Sequence, residues 1–224
     1  MLISRKRKID GSRTKCRHRA LIRVFSPGPV VVIGCSHGGV AALRTLVHAF
    51  DPRWPTSIFI TIHIGRQESH LPELLRPCCP MPVSHARDRE LIERGRVYVA
   101  PSDRHLCIES THMRLSHGPR ENWTRPAIDP MFRSAAHTHA PSVVGILLTG
   151  QLYDGVRGLH EIHRRGGCTI VQDPADALSP DLPRNAIVRM NPSFVLPLGA
   201  IAGAIGKCLT DMWSLPRYAG ATHD

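Results

Sequence analysis

Residues 29–39 read Pro29-Val30-Val31-Val32-Ile33-Gly34-Cys35-Ser36-His37-Gly38-Gly39, and they decide the fold. The β-branched run has no polar alternation. A strand of that kind is covered on both faces, as in a parallel sheet. The glycines behind it permit a tight turn. A helix over Gly38–Phe50 follows, with Val40, Leu43, Val47 and Phe50 on one face. Strand, turn and helix in that order open a βαβ unit.

Working outward, the same alternation recurs. Ser57–Ile62, Val143–Thr149 and Cys168–Gln172 read as further buried strands. Helices are expected near Ser69–Arg76 and over Asp129–His139, Gly155–Arg165, Pro183–Arg189 and Ala200–Met212. Val83–Arg87, Arg96–Ala100, Leu106–Glu109 and Met113–Ser116 are shorter and more polar, and are expected to form a small antiparallel excursion. The fold class is therefore α/β: a doubly wound, mostly parallel, Rossmann-like sheet.

Charge sharpens the domain organisation. The 224 residues carry a formal charge of +11, of which +8 falls within residues 1–25. Residues 1–28 are expected to be a disordered basic arm, because like charges repel and bury no apolar surface. Residues 29–212 form the domain and 213–224 a C-terminal tail. The rest of the chain is nearly balanced, so nucleic acid is not an expected partner. If the arm did bind anions, binding would fall steeply with salt and vanish on removal of residues 1–25. An Arg-rich, acid-poor start also suits a transit peptide or an over-extended translation start. No apolar stretch reaches the length of a membrane helix, so no insertion is expected. Seven cysteines without CxxC spacing fit a reducing cytoplasm.

In doubly wound sheets, ligands sit at the carboxyl ends of the strands. Ser36 follows the first strand, His63 the second, and Asp154 the third. Each has an ordinary reading. Ser36 suits an N-cap or a phosphate-binding loop, His63 a hydrogen-bonded structural residue, and Asp154 a turn or helix cap. Together they supply a nucleophile, a base and an orienting carboxylate. The order Ser, His, Asp excludes the α/β-hydrolases, which run Ser, Asp, His. Other histidines (His137 and His139, His160 and His163) lack a carboxylate or cysteine to complete a metal set, so neither metal nor cofactor is expected.

Several ordered blocks then resemble one family. They are Val32–Gly39, Ile60–His63, Val97–His105, Arg125–Ser134, Leu147–Gly155 and Leu182–Ala186. Over residues 29–190 the chain resembles the catalytic domain of the chemotaxis protein-glutamate methylesterases, the CheB type. The resemblance implies a serine hydrolase that removes methyl groups from glutamyl methyl esters on the cytoplasmic helices of chemoreceptors. Glutamine deamidation is its companion reaction. It implies Ser36 as nucleophile, His63 as base, Asp154 as orienting carboxylate and the Gln151 N–H in the oxyanion hole. His37, Gly38 and His105 are expected around the active-site rim. Arg125 and Asp129 are expected either to steer the receptor or to pair internally.

The chain departs from the family pattern at His37, Gln151 and Leu152, where the family usually has Thr, Met and Gly. A residue other than glycine is strained wherever φ is positive, which concerns Leu152. These departures motivate a second reading, a catalytically weak or inactive receptor-binding module of the same fold. Only about 28 residues precede the first strand, so the expectation is a catalytic domain without the phosphorylatable receiver that family members often carry.

Overall fold

The computed structural model describes residues 28–63 and 67–214. The expected basic arm, apart from Gly28, and the tail from residue 215 onward lie outside the described residues.

The apolar run forms β1 (Val30–Cys35), followed by α1 (Gly39–His48), β2 (Ser57–Ile62) and α2 (Leu71–Leu75). Two short strands, β3 (Val83–His85) and β4 (Val97–Val99), precede β5 (His105–Ile108) and β6 (Met113–Ser116). The second half runs α3 (Ile128–His139), β7 (Val143–Leu147), α4 (Val156–Arg164), β8 (Cys168–Gln172), α5 (Asp181–Arg189), β9 (Phe194–Leu196) and α6 (Leu198–Trp213). Seven strands form one sheet in the order β3-β4-β2-β1-β7-β8-β9. Every pairing in it is parallel. Strands β5 and β6 form a separate antiparallel pair.

Both faces of the sheet are covered, which is why β1 needs no polar alternation. Val31, Ile33 and Cys35 pack with Leu43 and Leu46 of α1 and Ile201 and Ile205 of α6. Val30 and Val32 face the other way, onto Phe132 of α3 and Leu159 and Ile162 of α4. Each large side chain so buried contributes about 1.5–3 kcal/mol. The buried face of α1 is Ala42, Leu43, Leu46 and Val47, with Val40 only partly covered. Of the expected face, Leu43 and Val47 are buried, as is Phe50 just beyond the helix.

Two of the four segments expected in the antiparallel excursion belong instead to the parallel sheet. Val97, Tyr98 and Val99 are fully buried, and the connection over residues 86–96 carries the chain back to the start of the sheet. Tyr98 made the segment look polar. Its ring stacks on Phe59 at 5.4 Å, and its hydroxyl accepts the Glu93 N–H at 3.0 Å. Strand β9 was not expected. It is short, lies on an edge and is partly exposed, so its apolar signal is weak.

Strand β1 sits at the point where strand order reverses, with β2 on one side and β7 on the other. Crevices at such points take ligands. There α3 comes in close: a Cβ on Gly34 would lie 2.4 Å from Cγ2 of Ile128. Glycine at this position lets the first turn of α3 reach the carboxyl end of the sheet. No helix among the described residues is long and apolar enough to cross a membrane.

Candidate active site

Ser36 leaves β1 in a turn fixed from both sides. Its N–H donates to the Thr149 carbonyl at 3.0 Å, and its carbonyl accepts the Gly39 N–H at 2.9 Å. Gly38, with φ +79°, caps α1 without a side-chain bond. The Ser36 side chain therefore does not cap the helix. Its Oγ lies 3.1 Å from Nδ1 of His63, the residue that follows β2. The other ring nitrogen, Nε2, lies 2.7 Å from Oδ2 of Asp154. A carboxylate only accepts, so Nε2 carries the proton and Nδ1 accepts from the Ser36 hydroxyl. The three side chains expected together thus form one hydrogen-bonded chain. They come from adjacent strand ends in the middle of the sheet.

Asp154 is 2% exposed and has no empty lone pair to spare. Oδ2 accepts His63 and the Ile128 N–H at 2.7 Å. Oδ1 accepts the side-chain amide of Asn122 at 2.6 Å and the Asp129 N–H at 3.3 Å. The carboxylate thus sits on the first turn of α3, where unpaired N–H groups favour negative charge. Burial pushes its pKa up. The His63 bond, the Ile128 N–H and Asn122 outweigh that and hold it below the usual carboxylate value. It is not the cap of α4; Gly155 is.

Behind it lies a second buried carboxylate. Asp129 accepts the Gly158 N–H at 2.8 Å and the same Asn122 amide at 3.1 Å. Burial, then the neighbouring Asp154 charge, raise its pKa. Asn122 therefore separates two carboxylates by giving one amide hydrogen to each. It does so from a left-handed backbone, φ +49°, and Trp123 follows at φ +66°.

The loop after β7 is pinned from behind. Thr149 N–H donates to Gln172 Oε1 at 2.9 Å, and its Oγ1 lies 3.0 Å from the His37 carbonyl. That same Oγ1 accepts the Ser179 N–H at 2.8 Å. Gln151 is exposed in the cleft wall. Among the described residues its backbone N–H has no hydrogen-bond acceptor. Leu152 stands at φ +63°, the strained conformation that its departure from glycine raises, with its carbonyl held by Asn185 at 2.7 Å.

The remaining expected residues are placed differently. His37 is exposed and Gly38 half-buried beside the nucleophile. His105 lies inside rather than on a rim: it is 3% exposed, bonded to the Pro119 carbonyl and the Ala127 N–H. Through Ala127 it braces the start of α3. Arg125 and Asp129 do not pair with each other. Arg125 holds Asp103 at 2.8 Å and the His117 and Gly118 carbonyls. His139 is buried on the Glu109 carbonyl, and His137 bonds the Arg133 carbonyl. Asn122, Asp129 and Trp123 are site residues that sequence reasoning missed or misjudged. The loop of Asn122 and Trp123 has no periodicity, and its one signal is adjacency to the Arg125–Ser134 block; Asp129 lies within that block, on α3.

Ser36, His63, Asn122 and Trp123 line a cleft of about 190 Å³ with Gln151, Leu152 and Asp154. A larger cavity of about 850 Å³ opens at the opposite end of the sheet, against Trp54, Leu209 and Trp213. Its charged pair, Asp51 and Arg53, is satisfied internally at 2.7 Å. It offers apolar surface but no acid–base chemistry.

Residues 31–205 match the sequence pattern described as CheB methylesterase. The chain is 37% identical over 174 residues to a relative from Leptospira interrogans, covering 77% of this chain and 90% of that one. It is 34% identical over 190 residues to the protein-glutamate methylesterase/protein-glutamine glutaminase 2 of Oleidesulfovibrio alaskensis, covering 80% and 51%. The chain thus spans about half the length of that longer relative. Among solved structures, the Thermotoga maritima CheB methylesterase catalytic domain superposes with a TM-score of 0.77 at 27% identity. It covers 82% of this chain and 98% of that one.

Proposed function

The chain belongs to the CheB methylesterase family, and from that premise we propose that it hydrolyses glutamyl methyl esters on the cytoplasmic helices of chemoreceptors, releasing methanol. The observation that carries the reading is the unbroken hydrogen-bonded chain Ser36–His63–Asp154 at the mouth of a cleft.

His63 Nδ1 takes the Ser36 proton as Oγ attacks the ester carbonyl. Asp154 keeps the proton on Nε2 and stabilises the imidazolium. The Gln151 N–H receives the developing oxyanion; a donor of this kind is worth about 10²–10³ in rate. The imidazolium returns its proton to the leaving methoxide, and methanol departs. Water, deprotonated by the same nitrogen, then splits the glutamyl-Ser36 ester, restoring the serine and leaving a glutamate carboxylate. A glutamine side chain enters the same sequence with ammonia as leaving group. The work is cytoplasmic in this reading, and the steps require no metal or organic cofactor.

Ser36→Ala tests the proposal. Methanol release from a methylated receptor cytoplasmic fragment falls at least ~10³-fold, while circular dichroism and thermal unfolding match the parent. Methanol release at the parental rate would overturn it. A parent protein that binds the fragment and releases no methanol would instead favour the binding-module reading.

A further inference from the structure

Two left-handed backbones flank the candidate nucleophile, and both carry large apolar side chains into solvent. Trp123 has φ +66° and is 87% exposed. Leu152 has φ +63° and is 63% exposed. A non-glycine residue is strained in that conformation, and neither gains core packing in return. Strain of this kind persists where it serves a site. Tyr153, 40% exposed, continues the patch. The Arg189 guanidinium lies over its ring, 5.5 Å from the centroid. All three apolar residues line the Ser36 cleft.

The cleft is small. At about 190 Å³ it falls short of the 300–1,000 Å³ of ordinary ligand pockets. It takes one side chain, not a peptide backbone. A helix presenting an esterified glutamate must therefore stay outside, against the lip. Its neighbours three and four positions away lie on the same face, about 5–6 Å from the reacting residue. Such neighbours face the lip of the cleft, which Trp123 and Leu152 help to form. An exposed cation at the edge complements the unesterified carboxylates of such a helix.

We infer that Trp123 and Leu152 are specificity-determining residues: they grip an amphipathic substrate helix by an aliphatic side chain one turn from the glutamyl ester. The inference rests on the methylesterase reading above. The partner is an acidic, amphipathic helix with its ester and an aliphatic residue spaced i, i+3 or i, i+4.

The test compares two substrates, a methylated receptor cytoplasmic fragment and the small ester p-nitrophenyl acetate, with the full chain. Trp123→Ala and Leu152→Gly are each expected to lower the ratio of receptor kcat/KM to small-ester kcat/KM at least tenfold, through a raised receptor KM. Trp123→Phe restores most of the ratio. Leu152→Gly relieves its backbone, so thermal unfolding shows no loss of stability, which separates a grip from a structural role. An unchanged ratio in both alanine and glycine variants, with the parent active on the receptor fragment, overturns this inference alone. A parent that hydrolyses the small ester but not the receptor fragment overturns the methylesterase reading and this inference with it.

Discussion

The side-chain amide of Asn122 reaches Oδ1 of Asp154 at 2.6 Å from a backbone in the left-handed region, φ +49°. The same nitrogen reaches Asp129 at 3.1 Å. One neutral residue thus makes two adjacent buried carboxylates compatible. Asparagine is suited to this: its amide supplies two donors, and it tolerates positive φ better than most residues.

Replacing it separates the two properties. Asn122→Gly removes the amide and keeps the backbone freedom, so unfolding in urea should show a loss of about 2 kcal/mol for the bond to a charged group. Asn122→Ala also forces a Cβ into the left-handed region and should lose about 1 kcal/mol more. Equal stability of both variants with the parent would show that the amide bonds contribute nothing net.

The two carboxylates should respond to acid with opposite signs. Asp154 is held below its usual pKa, so its stabilising effect is present above the unfolded-state value of about 3.9 and is lost as pH falls through the lower folded value. Asp154→Asn should be about 2–3 kcal/mol less stable at pH 7, with the gap closing below about pH 4. Asp129 is raised, so its contribution is fully present below that same unfolded value and is lost as pH climbs through the higher folded value. Asp129→Asn should therefore gain on the parent as pH climbs from 3 to 7. Parallel stability–pH curves for parent and variants would remove the electrostatic account.

Gly34 and Ile128 form a second coupled pair. A methyl group on Gly34 would overlap Cγ2 of Ile128, whose own N–H holds Asp154. Gly34→Ala should lose about 1–3 kcal/mol from overpacking and slow methanol release by displacing that donor. Adding Ile128→Ala should recover part of both losses. A double-mutant cycle should give a coupling of at least about 1 kcal/mol; additive losses would show that the contact relaxes elsewhere.

Thr149 pins the loop that carries Gln151. Thr149→Val keeps the shape and removes the oxygen that accepts the Ser179 N–H. Leaving that buried donor without a partner should destabilise by about 1–3 kcal/mol. The turnover of a small ester should fall as well, because Gly150 N–H also bonds Ser179 and the loop shifts as a unit. Unchanged turnover in a clearly destabilised variant would place Thr149 in the scaffold alone.

The bounds of β2 and β8 were legible to the residue, because each is an apolar run with breakers beside it: Pro55 ahead of β2, Gly166-Gly167 ahead of β8 and Asp173-Pro174 behind β8. Ser36 and His63 were legible for a related reason, each directly following such a run, while Asp154 stands in the turn that joins the third run to its helix. Asn122 was not, since it lies in a polar loop where nothing repeats. His105 ends a family block, which points to the rim, yet the block turns inward and buries it. Strands β3 and β4 join the parallel sheet and not the expected antiparallel excursion, because short segments carry no sign of direction and parallel pairing depends on the path between them. Asp129 suits either a receptor-steering charge or an internal ion pair with Arg125, and the structure gives it neither role: its partners are Asn122 and the Gly158 N–H. Only the helix–strand packing that buries it reveals a partner for Asn122.

The orientation of the His63 ring has a consequence for chemical labelling. Nε2 is shielded by Asp154, so the nitrogen open to the cleft is the one nearer the backbone, Nδ1. An alkylating ester analogue seated over Ser36 meets that atom first. The adduct should be a 1-substituted imidazole at the δ position, the reverse of the Nε2 adduct expected when the serine faces Nε2.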